Sequence, residues 1–460
     1  MTSTIIESIG KKVLIETWGC QMNVADSEEM LGLLHGLQYT TTNDPQAADL
    51  ILLNTCHIRE KAKHKVLSRL GKLRELKEAN PALKIVVAGC VAQAEGEKLL
   101  KAAPSIDILL GPGKIKELPR LLQEHKPGSG SLVARGFDRD QEGSAEKIPP
   151  QAKPWLGDRP EVSRFVNIQQ GCNNFCTFCV VPFTRGREVS RSHAAILGEV
   201  RQLLAQGARE ITLLGQNVNS YGLDLVSKSE SSDSSPFATL LRLILGETEL
   251  GRLRFTTSNP HDLTRDLVNL YAEDKRMGQY LHLPVQSGSD NILERMRRKV
   301  TVAEYHERLG WLKSVCPEIA ISTDLIVGFP GETEQDFEGT LSLVEAAEFS
   351  FIFSFKYSPR KGTAAMRFGD QVPEAEKDAR LQRLNTVQDQ ITLRHNMNEI
   401  GKDREVLVLY ESRKQPGVFY GRTEQFRLTR IASPSRSLVG QLVATKITDA
   451  NKTALVGHLL

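Results

Sequence analysis

Three of the seven cysteines in this 460-residue chain stand at Cys172, Cys176 and Cys179. The C-x3-C-x2-C spacing is too tight for a comfortable disulfide framework, but one short loop can aim all three thiolates at a single centre. The spacing therefore points to a metal. Structural zinc closes a shell of four ligands, and the nearest fourth candidate, His193, lies fourteen residues beyond Cys179, where a helical pattern begins. Three thiolates also suit a four-iron cluster with one iron left open to a substrate, because cluster irons are bound by soft cysteine sulfur.

Three more cysteines, Cys20, Cys56 and Cys90, follow the short apolar runs 12–17, 50–54 and 84–88, and a fourth such run covers 106–110. Each run precedes a helical pattern, and that alternation predicts a parallel α/β layer. In a parallel sheet the carboxyl ends of the strands share one edge, and loops leaving that edge build ligand sites, so the three thiols are expected to converge on a second three-thiolate site. The alternative is three small buried hydrophobes, a common use of free cysteine. Cys316, just before Pro317, belongs to neither set and is expected to be structural.

These cysteines need a scaffold, and composition bounds it. The chain is 40% hydrophobic and 25% charged with a net charge of +3, ordinary for a soluble protein and too weakly basic to argue for nucleic acid by itself. No apolar run approaches the length that spans a bilayer, and residues 1–12 lack the apolar core of a signal peptide. A cytoplasmic protein without membrane contact is expected. Cysteines in that compartment are more often ligands or catalytic groups than disulfides.

The order of patterns gives the domains. Residues 11–126 read as the parallel α/β domain, and 127–157, rich in Gly, Ser, Pro and charge, as a linker. Residues 158–397 hold strand runs at 164–169, 210–214, 252–257, 280–284, 320–327 and 351–357 with helical patterns between them, one opened by a capping box at Thr301 and Glu304. Six β/α units fall short of the eight in a closed barrel, so a partial, laterally open (β/α)6 barrel is predicted, with its site at the carboxyl ends of the strands. The loops there carry Gln216, Asn217, Ser258 and Ser287, and Asp324 lies on a strand leading to another. Such side chains can bond a ribose, a base or a carboxylate, although strand-to-helix turns use the same residues for local reasons. The serine-rich stretch 223–236 reads as a surface insertion. After a polar helix over 373–398, residues 398–460 turn to short β-rich runs and predict a small antiparallel β-barrel. Ten Lys or Arg against five Asp or Glu over 400–460, with aromatics interleaved, suggest an RNA-binding surface with Arg422, Phe426 and Arg427 as candidate contacts. The basic run 59–65 could also meet RNA, but a charge run is usually a solvated face.

These words also carry a resemblance. The Cys172, Cys176 and Cys179 loop following a strand resembles the signature of radical S-adenosylmethionine (SAM) enzymes, in which the open iron chelates SAM. The words 17–23 (TWGCQMN), 54–62 (NTCHIREKA) and 88–93 (AGCVAQ) resemble methylthiotransferase motifs, as do the blocks 214–219, 282–289 and 324–333. The Gly19-Cys20-Gln21-Met22-Asn23 form is similar to that of the tRNA-2-methylthio-N6-dimethylallyladenosine synthases (MiaB type), over nearly the whole chain. Gly421-Arg422-Thr423-Glu424 resembles the RNA-binding TRAM domain.

The resemblance implies two 4Fe-4S clusters and two molecules of SAM per turnover. The Cys172, Cys176 and Cys179 cluster would reduce SAM to generate a 5′-deoxyadenosyl radical that takes hydrogen from C2 of an adenosine. The Cys20, Cys56 and Cys90 cluster would supply sulfur, giving 2-methylthio-N6-dimethylallyladenosine at position 37 of tRNA. No side-chain general base is needed. Gln216, Asn217, Ser258, Ser287 and Asp324 would contact SAM. The implied partners are tRNA, a one-electron reductant such as flavodoxin or ferredoxin, and a sulfur donor, and a monomer is expected. Close alternatives are methylthiotransferases acting on threonylcarbamoyladenosine in tRNA or on a ribosomal-protein aspartate. A non-catalytic RNA-binding or electron-carrying protein is the alternative from another class.

Overall fold

The computed structural model describes residues 10–57, 60–137, 161–225, 235–433 and 437–460, with the side chains of 60–63 excepted. Parts of the linker (138–160), of the insertion (226–234) and of the basic run lie outside the described residues. The chain forms two compact units, one of residues up to 159 together with 181–187, the other of 160–180 and 188–460.

The first unit is built on a six-stranded parallel sheet in the order β2-β1-β3-β4-β5-β6. Its strands are β1 Lys12–Trp18, β2 Thr40–Thr41, β3 Leu50–Thr55, β4 Lys84–Ala88, β5 Ile108–Leu110 and β6 Leu132–Ala134. Side chains alternate between two apolar layers, as a strand period of two requires. Leu50, Leu52, Val86 and Ala88 pack with Met30 and Leu34 of the helix Gln21–His35. Ile51, Leu53, Ile85 and Val87 pack with Val66, Leu70 and Leu73 of the helix Glu60–Ala79. Burial on both faces explains why LILL and IVVA read as unbroken apolar runs. Residues 132–134, expected in the linker, instead pair in parallel with β5 as the edge strand. Three residues are too few to show a period.

The second unit contains six parallel strands of a partial barrel: β7 Ser163–Asn167, β10 Glu210–Leu214, β11 Arg252–Thr256, β12 Tyr280–His282, β13 Ala320–Val327 and β14 Phe351–Lys356. They form two ladders, β7-β10-β11 and β12-β13-β14. The seam is bridged where Leu253 N donates to Arg276 O at 2.8 Å and Gly278 N to Leu253 O at 2.9 Å, just before β12. A short antiparallel pair, β8 Gln169–Gln170 with β9 Val189–Ser190, replaces the end of the run expected over 164–169. The anticipated capping box forms: Glu304 N donates to Thr301 Oγ1 at 3.2 Å, and Thr301 N donates to Glu304 Oε2 at 2.7 Å.

Beyond the helix Glu374–Met397 lies a closed five-stranded barrel in the order β15-β16-β17-β19-β18. Its strands are β15 Asp403–Glu411, β16 Val418–Thr423, β17 Leu428–Ala432, β18 Leu442–Ala450 and β19 Leu455–Leu459. The last was not anticipated, yet it closes the barrel through a parallel pairing with β17. This barrel seats against the amino ends of the partial barrel's strands. Arg254 donates to Thr423 O and Glu424 O at 3.0 Å each, Arg252 donates to Arg422 O at 3.0 Å, and Tyr280 stacks on Phe426. No described helix is long and apolar enough to cross a membrane.

Candidate metal centres and ligand site

In the first unit β1, β3 and β4 end side by side, and the next residues are Gly19-Cys20, Cys56 and Gly89-Cys90. The thiols of Cys20 and Cys56 are hydrogen-bonded to each other, and Cys90 lies within electrostatic reach of Cys20. The glycines make that approach possible. A Cβ on Gly19 would collide with Asn23 Oδ1 and stand 3.0 Å from Cys56 Cβ. Gly89 has a φ of +90°, and a Cβ there would collide with Asn54 Oδ1 and lie 2.7 Å from Thr55 O.

The asparagines of two words fix the geometry. Asn23 caps the turn at Cys20, with Cys20 N donating to Asn23 Oδ1 at 3.4 Å. Asn54 Nδ2 donates to Asn23 O at 2.7 Å and to Ser27 Oγ at 2.9 Å, and Asn23 Nδ2 donates to Asn54 Oδ1 at 3.2 Å. Both asparagines are fully buried, so the end of β3 and the start of the first helix are locked together.

The same unit contains a group that the sequence did not mark. Arg185, from the segment 181–187, is buried and meets buried Asp26 through two bonds, Nη1 to Oδ1 at 3.3 Å and Nη2 to Oδ2 at 2.5 Å. Arg185 also donates to the Cys90 thiol. The Cys56 thiol's bond outweighs burial and, with Arg185, brings Cys20 down to about 6. Burial pushes Cys90 up, with Arg185 opposing. Among the described residues no three His, Cys, Asp or Glu side chains meet at the spacing of one bound ion. Three thiolates leave a zinc shell one ligand short, so this set of soft donors fits a cluster with one open iron better than zinc.

In the second unit the loop carrying Cys172, Cys176 and Cys179 follows β8 at the carboxyl edge of the partial barrel. Cys179 N donates to Cys176 O at 3.0 Å, and Phe175 takes a left-handed φ of +49° that tightens the turn. Burial raises Cys172 to about 11, with Cys176 close enough to add to the shift. The loop is held from across the barrel. Thr177 N and Oγ1 donate to Met296 O and Arg295 O at 3.1 and 2.9 Å, and Arg298 Nη1 lies 3.5 Å from Cys176 Sγ. Arg298, buried, also donates to Pro284 O at 2.5 Å.

Gln216, Asn217 and Ser258 lie at the carboxyl ends of β10 and β11. Gln216 Oε1 accepts from Gly171 N beside Cys172, while Gln216 Nε2, Asn217 Oδ1 and Ser258 Oγ are buried without a partner. Asn167 Oδ1 and Gln169 Oε1, which sequence reasoning passed over, are in the same condition. Buried polar atoms without partners are rare and costly, so several at one strand edge fit a bound polar ligand that satisfies them. Ser287 instead serves its own turn, accepting from Ser289 N at 3.3 Å. Asp324 stands 3.5 Å from His282 Nε2, and burial lowers His282 to about 4, leaving the imidazole neutral. Glu188 was also missed. Its N donates to Asn173 Oδ1 at 3.4 Å, and burial raises its carboxyl to about 7.

The three residues expected to touch RNA also make contacts within the protein. Arg422 lies over the Phe426 ring at 3.9 Å, Phe426 stacks on Tyr280 at 4.7 Å, and Arg427 donates to Asn396 Oδ1 at 2.7 Å. These contacts join the small barrel to the core and leave the three side chains half-buried. The reason is register: residues 422–427 form the corner of the barrel that faces β11 and β12.

Residues 12–111 match the model of the uncharacterized protein family UPF0004, and residues 166–344 that of the radical SAM superfamily. The chain is 44% identical over 450 residues to the tRNA-2-methylthio-N(6)-dimethylallyladenosine synthase of Geotalea uraniireducens (strain Rf4), covering 98% of this chain and 99% of the relative. It is 46% identical to the enzyme of the same name from Syntrophobacter fumaroxidans (strain DSM 10017 / MPOB), covering 97% and 95%. Among solved structures it is similar to the radical S-adenosylmethionine methyltransferase TsrM from Kitasatospora setae, with a TM-score of 0.56 at 15% identity over 78% of this chain and 77% of that one. It is also similar to the cobalamin-dependent radical enzyme OxsB, with a TM-score of 0.52 at 14% identity over 83% and 56%. The structural likenesses show the fold, and the full-length identities show the family: the chain belongs to the tRNA-2-methylthio-N(6)-dimethylallyladenosine synthases of the radical SAM superfamily.

Proposed function

We propose that this protein methylthiolates C2 of N6-dimethylallyladenosine at position 37 of tRNA, using SAM and two four-iron clusters. The observation that carries this reading is identity above 40% along essentially the whole length of enzymes named for that product. Cys172, Cys176 and Cys179 would hold one cluster, and Cys20, Cys56 and Cys90 the other. When bound, the first supplies the electron that cleaves the sulfonium of SAM, and the second presents the sulfur to be transferred. The chain's own residues do the rest. Arg298 and Thr177 hold the Cys176 turn, and Gln216, Asn217 and Ser258 offer their unpartnered polar atoms to SAM. The Asn23 and Asn54 pair fixes the other three thiols. The small barrel takes the TRAM role of adding affinity for RNA, through surfaces other than its joint with the core. A low-potential flavodoxin or ferredoxin supplies electrons, a separate donor supplies sulfur, and the enzyme works as a cytoplasmic monomer.

Nucleoside analysis of tRNA from cells lacking this protein tests the assignment. Loss of 2-methylthio-N6-dimethylallyladenosine with accumulation of N6-dimethylallyladenosine, reversed on restoring the gene, is expected. An unchanged nucleoside profile would overturn it.

A further inference from the structure

We propose that Arg185 and Asp26 form a charge-setting and positioning pair for the Cys20, Cys56 and Cys90 centre, with Arg185 fixing a positive charge against the thiolates and Asp26 holding it there. The inference rests on the reading of that centre as a cluster site. A guanidinium and a carboxylate, on side chains at most 7% exposed, are bound through two contacts, and the same guanidinium donates to Cys90. Burying ions is costly, and a buried pair adds little to stability over apolar residues of the same shape. Three thiolates give a buried centre excess negative charge, and a fixed cation beside it offsets that charge. Hydrogen bonds to cluster sulfurs and nearby charge are among the means by which a protein tunes the potential of a cluster. The planar fork of arginine suits the task because it grips the carboxylate with two nitrogens and still has N–H groups left for sulfur.

The pair makes a signed prediction that a merely structural ion pair does not. Removing the cation with Arg185→Gln leaves Asp26 beside the thiolates and favours the oxidised cluster, so the midpoint potential falls. Removing the anion with Asp26→Asn leaves the cation unopposed, so the potential rises. Redox titration followed by electron paramagnetic resonance would be run on the full chain carrying Cys172, Cys176 and Cys179→Ala, so that the remaining iron reports the first centre alone. Retention of about four irons in that background, with opposite shifts for the two variants, supports the proposal. Arg185→Lys, which keeps the charge but not the fork, should hold the potential within a small fraction of the Gln shift while retaining less iron. Iron retained with potentials that stay put, or that move the same way in both variants, overturns the pair's role and leaves the cluster reading standing. A background that folds but binds no iron overturns the cluster reading and the proposal with it. Should Arg185→Gln fail to fold, Asp26→Asn and Arg185→Lys still decide the sign.

Discussion

The Phe426 ring lies flat against Tyr280, with 4.7 Å between centroids and 16° between planes, and the Arg254 guanidinium stands 5.0 Å from its centroid. That stack closes the amino ends of the core strands. The small barrel is thus part of the support of the core as well as a candidate RNA module. Removal of residues 398–460 is expected to lower the melting temperature of the remainder and to weaken SAM cleavage even without tRNA. Phe426→Ala alone should cost about 2 kcal/mol, less than a fully buried ring. Denaturant titration checks both, and an unaltered core stability after truncation would contradict the joint.

Glu210 gives this joint a pH signature. Burial by itself raises its carboxyl, but Arg254 at 2.7 Å and neighbouring Arg252 outweigh burial and hold it below its ordinary range. A lowered folded-state value stabilises the protein above the unfolded value of about 4.3, and that contribution disappears as pH falls through the folded value. Arg254→Met removes the closest partner and reverses the sign, because the buried acid then favours its neutral form. The variant should be less stable than wild type by about 3 kcal/mol at neutral pH, with a deficit that shrinks on acidification towards pH 5. Melting curves across pH measure it, and a deficit independent of pH would refute the pairing.

The frame was legible because its signals are local. Strands buried on both faces announce themselves as apolar runs, and the cysteines follow them directly, so their convergence needs only the geometry of a parallel sheet. What stayed hidden depends on partners far away in sequence. Asp26 and Arg185 are 159 residues apart, and neither word hints at the other. Arg422, Phe426 and Arg427 have the composition of an RNA surface, and only the seating of the barrel on β11 and β12 shows their contacts with the core. The strands Leu132–Ala134 and Leu455–Leu459 are too short or too mixed for a period to appear.

Ser258 separates ligand binding from stability. Its hydroxyl is buried without a partner, so Ser258→Ala removes a desolvation cost and should leave the melting temperature of the ligand-free protein unchanged or higher. If SAM supplies the missing partner, the same change should weaken SAM binding about tenfold, or about 1.4 kcal/mol. Calorimetry on the reconstituted protein reads the affinity. A lower melting temperature with unchanged affinity would show the hydroxyl to be structural.

Cys56→Ala separates the proposed work of the two cysteine sets, which sit on separate units. The substitution removes one buried thiol from the first centre and leaves the Cys172, Cys176 and Cys179 loop untouched. The measurement is 5′-deoxyadenosine and 2-methylthio-nucleoside from one reaction with tRNA carrying N6-dimethylallyladenosine under reducing conditions. Continued formation of 5′-deoxyadenosine, about half the iron of wild type and no methylthiolated product are expected. Substantial methylthiolated tRNA from folded Cys56→Ala protein would contradict that separation.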